Sequence, residues 1–331
     1  MALWTALALY ALAFVAFTFD LARRSTQVRE VAGASVPSAV SRNAAGVAAS
    51  AVAGADGSLG RTATMERPSG AAGQARVTPT RSPSLRVGVA LTVLGFLVHL
   101  AADITRGIAA GRVPWANMYE FAMTGTLLII GVFLLVLTRE DLRFLGTFVT
   151  GLVVVLLGIS WSFYVEIAPL PPALQSAWLV VHVFVASLGT AFLALGFALS
   201  VVQLIQARQE RLKPELSALK MRFLATLPSS ERLENLAYRV SIIGFIFWTF
   251  TLIAGAIWAE SAWGRYWGWD TKEVWTFIIW VIYAGYIHAR ATRGWRGTRS
   301  AWLSIIGFAA VMFNFGVVNV FFKGLHAYSG L

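Results

Sequence analysis

Residues 177–205 read AWLVVHVFVASLGTAFLALGFALSVVQLI, with no Asp, Glu, Lys or Arg among them. About 20 consecutive apolar residues suffice for a helix to cross a bilayer, and an uncharged run of this length reads as such a helix. Seven further stretches read the same way, at roughly 1–19, 87–104, 118–137, 144–163, 237–259, 273–288 and 301–322. The predicted fold is all-α: a polytopic membrane helix bundle of about eight transmembrane helices. Composition agrees. The 331 residues are 57% hydrophobic and 13% charged, whereas soluble domains carry about a quarter charged residues.

Loop charge sets the expected orientation. The chain holds 27 Lys+Arg against 16 Asp+Glu, a formal charge of +11. Most of the basic residues fall after the first, third, fifth and seventh spans, including the cluster Arg290, Arg293, Arg296 and Arg299. Cytoplasmic loops carry such an excess, so both termini are expected outside, with an even number of spans. The charge balance is thereby a membrane signature, with no nucleic acid partner implied. The first span has no basic residue before its apolar run and is followed by Arg23-Arg24, which fits a retained anchor rather than a cleaved signal.

Between the anchor (1–19) and the core (85–331), residues 20–84 are rich in Ala, Gly, Ser, Thr, Pro and Arg. Such a segment buries too little apolar surface to offset its ordering entropy and is expected to be a disordered basic cytoplasmic linker, its arginines drawn to anionic lipid. Within 207–235, Leu212, Leu216, Leu219, Phe223 and Leu227 recur at helical spacing among basic residues. That pattern predicts an amphipathic helix on the inner surface, separated from the next helix by Pro228 and Ser229-Ser230.

The chain has no cysteine. Disulfides, cysteine-ligated zinc, iron–sulfur clusters and thiol nucleophiles are all excluded. Four histidines remain, and the predicted topology divides them by depth. His99 lies in the body of the second span. His288 lies toward the inner end of the seventh, roughly 20 Å below its start at about 1.5 Å per residue. His182 lies in the first turns of the fifth span, and His326 lies in the tail after the eighth. A single histidine near a helix end is commonly just an interfacial hydrogen-bonding residue. An ionisable group inside the bilayer is a functional signal by default. Two histidine pairs at two depths are what two six-coordinate haem irons require. Zinc favours a compact tetrahedral cluster, and Mg²⁺ or Ca²⁺ favours oxygen ligands.

The segment 258–275 reads WAESAWGRYWGWDTKEVW, five tryptophans in eighteen positions. Tryptophan gathers at membrane interfaces, which explains one or two of them. It does not explain Gly264 and Gly268, which permit close backbone approach. A glycine-spaced aromatic platform, Trp263, Trp267 and Trp269, suits a large planar ligand. Arg265 and Lys272 are placed to pair with carboxylates at its edge. Asp270 is expected to fix the loop by accepting hydrogen bonds. A porphyrin with two propionates fits this set.

These residues carry a resemblance. Trp263-Gly-Arg-Tyr-Trp267-Gly-Trp269-Asp270-Thr-Lys-Glu273-Val-Trp275 resembles the tryptophan-rich WWD signature of haem-handling proteins. With Trp280…His288-Ala-Arg, Arg112-Val-Pro114-Trp-Ala-Asn117-Met-Tyr119-Glu120 and Asn314…Asn319…Gly324-Leu325-His326, residues 85–331 are similar to the CcsA/ResC family of system II cytochrome c biogenesis. Thr271 stands where that family usually has proline. The resemblance implies His99 and His288 as ligands of a transmembrane haem, and His182 and His326 as ligands of an external haem b beneath the tryptophan-rich loop. Tyr119 and Glu120 are expected at the haem entrance, and no catalytic residue is assigned. It implies haem transport across a bacterial plasma membrane and presentation to an apocytochrome c bearing Cys-x-x-Cys-His, as a subunit of a cytochrome c synthase. A ResB-like membrane partner and a thioredoxin-like thiol reductant are implied with it. The competing readings are a b-type electron-transfer cytochrome and a haem exporter without an attachment role.

Overall fold

The computed structural model describes residues 1–34, 82–212, 224, 226–292, 294–322 and 324–326. Among them every regular element is helical, in the order α1 (Ala2–Ala34), α2 (Pro83–Ala110), α3 (Met118–Leu137), α4 (Gly146–Ser160), α5 (Ala177–Glu210), α6 (Ser230–Trp263), α7 (Thr271–Ala291), α8 (Thr298–Phe313) and a terminal turn α9 (Asn319–Phe321). A five-residue π-turn, Asn314–Val318, joins α8 to α9 without a break. The chain is thus the predicted all-α bundle. Among the described residues seven helical segments are long and apolar enough to cross a membrane. The other predicted span, α7, has 21 residues, about 30 Å at the α-helical rise. Lys272, Glu273, His288, Arg290 and its tryptophans and tyrosines keep it more polar than the rest.

Several boundaries move outward from those read in the sequence. Helix α1 runs on past residue 19 to Ala34, so the first part of the expected linker is helical. Residues 35–81, the rest of that linker, lie outside the described residues, as do 213–223, where the amphipathic helix is expected. Helix α6 starts at Ser230, with the Ser229 side chain accepting the Arg232 amide N–H, a cap that satisfies an otherwise orphaned donor. It continues to Trp263 and ends on Gly264 at φ 69°, the left-handed conformation open to glycine. The tryptophan-rich loop is therefore only 264–270, because Trp258 and Trp263 belong to α6 and Trp275 to α7.

Helix α5 is the central post. It forms the largest interface with α6 and also packs on α3 and α8, while α1 pairs with α2 and α4 at one side. Close approach of α5 and α6 follows from small residues. A side chain at Gly189 would meet the Trp248 amide nitrogen and the Gly244 carbonyl at 3.2 and 3.3 Å. In lipid, where helices gain little from hydrophobic exclusion, such backbone contact provides the packing. At the arginine-rich end, Arg290 is bound to Glu234 at 3.1 Å and lies 4.1 Å from the Tyr238 ring centre. Glu234 also accepts the Gly297 amide N–H at 2.8 Å. One buried carboxylate thus ties α6, α7 and the start of α8 together.

Candidate functional site

The ends of α3, α5, α6, α7 and the π-turn enclose a cavity open on one side, with about 1220 Å³ of space including its mouth. Its walls are mostly apolar, and both His182 and His326 line it.

His182 stands in the second turn of α5. Its Nδ1 lies 3.0 Å from the Thr251 carbonyl of α6. A carbonyl only accepts, so Nδ1 carries the proton and donates, which leaves Nε2 with a free lone pair. Room for the ring comes from Gly255, where a Cβ would lie 2.7 Å from His182 Cε1. The ring stacks on Trp258 at 5.7 Å, with 17° between planes.

His326 reaches the same cavity from the segment after α9. Its Nδ1 lies 2.7 Å from Asp270 Oδ2, and Asp270 Oδ1 accepts the Leu325 amide N–H at 3.3 Å. The hydrogen bond from His326 holds the Asp270 carboxyl below the usual carboxylate range. Gly324 passes so close that any side chain there would strike the Asp270 carboxylate. The His326 ring meets Trp258 and Trp263 edge-on, at 5.5 and 4.9 Å. Trp258 therefore offers its face to one histidine and takes the edge of the other. Among the described residues no hydrogen bond engages Nε2 of either ring. Ligating histidines are commonly held this way, with the second ring nitrogen fixed by a carbonyl or carboxylate.

The loop between α6 and α7 is folded by its own polar groups. Glu273 Oε2 accepts the amide N–H groups of Gly268 and Asp270, at 2.8 and 3.0 Å, and Asp270 completes a capping box at the start of α7. Thr271 is the first residue of α7, where proline is also well tolerated. The departure from the family pattern thus leaves the turn intact. Trp269 takes φ 59°, a conformation uncommon outside glycine, and its side chain is 73% exposed. Trp267 lines the cavity and meets Trp269 at 89°. The Arg265 guanidinium lies over Gly268, in the space any side chain there would fill, and one of its terminal nitrogens is buried without a partner. Lys272 lines the cavity with its ammonium donating to the Asn319 side-chain oxygen.

The π-turn places Asn314 and Asn319 on one face, five residues apart, and both line the cavity with Phe315. π-Turns of this kind recur at functional sites. Asn314 donates to Thr276 at 3.3 Å, and its buried Oδ1 has no partner.

The other expected site residues stand elsewhere. Glu120 is fully buried, ion-paired to Arg106 at 3.0 Å and to Arg112 at 2.7 Å. Tyr119 packs edge-on against Trp161 and Tyr164. Neither lines the cavity, although their neighbours Trp115, Met118 and Phe121 do. His99 is fully buried in α2, with Nδ1 3.3 Å from the Tyr10 hydroxyl of α1 and Nε2 unpartnered. His288 is exposed on α7. No hydrogen bond or ring contact joins these two histidines. Trp115, Met118, Phe121, Trp248, Asn314 and Phe315 were not singled out as site residues from sequence. The i, i+3 spacing of Met118 and Phe121 was the one available signal, and the π-turn left none.

A model of the cytochrome C assembly protein family matches residues 115–326. The chain belongs to that family. The matched region of this assembly protein runs from one cavity residue, Trp115, to another, His326, and leaves α1 and His99 outside it. Proteins named cytochrome c biogenesis protein CcsA are its relatives. That of Guillardia theta is 36% identical over 261 residues, covering 74% of this chain and 86% of its own. That of Synechococcus sp. (strain CC9902) is 40% identical over 177 residues, covering 49% and 58%. That of Cyanophora paradoxa is 33% identical over 264 residues, covering 68% and 82%. The assembly protein has a role in cytochrome c biogenesis.

Proposed function

We propose that this chain carries haem b across a bacterial plasma membrane and presents it, on the outer side, to apocytochrome c for thioether attachment. One observation carries the reading: His182 and His326 share a cavity with their Nδ1 atoms engaged and Nε2 free. This is the donor set that a six-coordinate haem iron takes. The apolar walls suit the porphyrin faces, and Arg265 and Lys272 are the cations for its propionates. The protein's contribution is chiefly orientation, holding each vinyl group where a substrate thiol attacks.

His99 and His288 are the proposed earlier station. His99 is fully buried within α2, and a haem between the two would bridge α2 and α7. The substrate presents Cys-x-x-Cys-His, whose histidine displaces one of the outer ligands on release. A ResB-like membrane subunit completes the synthase. A thioredoxin-like reductant keeps the substrate thiols reduced, since the chain has no cysteine of its own.

The test is the visible spectrum of the purified protein. Bis-imidazole b-type bands are expected. Replacing His182 or His326 by Ala lowers haem retention, and added imidazole restores part of it. Unchanged haem content and cytochrome c maturation in both variants would reject the site.

A further inference from the structure

Among the cavity-lining residues Glu273 is the one carboxylate. Its two oxygens have different surroundings. Oε2 is committed to the loop, accepting from the Gly268 and Asp270 amides. Oε1 is buried and has no partner among the described residues, in a residue only 8% exposed. A buried carboxylate oxygen left open is costly, and here the fold needs only the other oxygen to hold the turn. The two charged groups beside it, Asp270 and Lys272, are occupied. Asp270 has both oxygens bound, to His326 and Leu325. Lys272 is held by Asn319. Asn314 also leaves an oxygen open, but an amide cannot take up a proton.

The geometry points to Glu273 as the proton-transfer residue of thioether formation, with Oε1 the oxygen left for the substrate thiol. This rests on the reading that the cavity holds haem. Attachment is the addition of S–H across a vinyl C=C bond. The S–H bond breaks and its proton passes to Oε1. Sulfur bonds to the vinyl carbon next to the ring. The proton required by the terminal vinyl carbon returns from the same carboxyl. Atoms balance, no electron is gained or lost, and the carboxylate is regenerated for the second thiol. Attachment to the loop by Oε2 fixes the direction of Oε1, as a positioned general base requires.

The experiment compares Glu273→Gln and Glu273→Ala with wild type, in the full chain within its membrane assembly. Ferrous haem b and a peptide bearing Cys-x-x-Cys-His serve as substrates. Glutamine keeps an oxygen to accept the two loop amides. The expected result for E273Q is an unchanged bis-imidazole spectrum and haem stoichiometry, with thioether formation slowed about 10²- to 10⁴-fold. The fall should be in kcat rather than in KM for the peptide. Formate should restore part of the rate of E273A, which a purely structural role does not allow. Wild-type attachment by E273Q overturns the proposal. So does loss of the haem spectrum in step with activity, or E273A insensitive to formate. If wild type itself shows no bis-imidazole spectrum, the haem reading fails rather than the role of Glu273.

Discussion

Asp270 and His326 are 56 residues apart in sequence, yet the carboxylate Oδ2 of one lies 2.7 Å from Nδ1 of the other. The pair joins the tryptophan-rich loop to the end of the chain. It holds the imidazole by Nδ1, in a residue that lines the cavity. Removing the partner of a ligating histidine commonly weakens binding about 10- to 100-fold. Asp270→Ala is expected to lower haem affinity by that order, measured by haem titration of the purified protein. Asp270→Asn should lose less, because its amide oxygen still accepts from Nδ1.

Gly255 sets the place of the other imidazole. A Cβ there would lie 2.7 and 2.9 Å from His182 Cε1 and Nδ1. Gly255→Ala pushes the ring off the Thr251 carbonyl and is expected to reduce haem retention nearly as far as replacing His182. Added imidazole should restore part of it. The measurement is haem per protein after purification. Full retention in the alanine variant would mean that the ring has space to shift.

The α5–α6 contact answers to volume rather than to ligand chemistry. Leucine at Gly189 would drive a side chain into the backbone of α6 at Trp248 and Gly244. Overpacking of this kind typically costs about 1–3 kcal/mol, occasionally more. Thermal unfolding in detergent should shift down for Gly189→Leu in protein freed of haem.

Glu234 and Arg290 are 7% and 9% exposed at the side chain. Removing one partner of a buried pair leaves the other uncompensated, at a cost of about 3–5 kcal/mol. Glu234→Ala should therefore sharply reduce the amount of folded protein, since it also strips the Gly297 amide of its acceptor. The pair of Arg232 and Glu140, at 64% and 35% exposed, provides the control. Exposed pairs contribute about 0–1 kcal/mol, and Glu140→Ala should leave unfolding unchanged.

Apolar run length made the helices legible, because a span has to satisfy every backbone group internally and must be long enough to cross. Helix ends were less legible. Beyond Phe19 in α1 and before Ala237 in α6 the apolar residues are scattered among charged ones, with Leu233 and Leu236 buried, so no continuous apolar run marks where either helix ends. The tryptophan-rich motif announced a site but not which of its residues face it. Trp267 and Lys272 line the cavity, whereas Trp269 turns outward and Arg265 lies over Gly268. Tyr119 and Glu120 sit in the same motif as Trp115 and Met118, yet on the opposite side of the helix start. A turn of about 100° per residue separates neighbours in sequence into different environments.

Sequence alone determined that this chain is a helical membrane protein without thiol chemistry, with four imidazoles and a tryptophan-rich turn. Those are matters of residue type and local periodicity. Only the tertiary structure decided that His182 and His326 share one cavity, that Thr251 and Asp270 orient them, and that Glu273 keeps one oxygen free. Each of those facts joins residues far apart along the chain. They depend on how closely α5 approaches α6 and on where the π-turn rotates the last helix, and helix packing, not local preference, sets both.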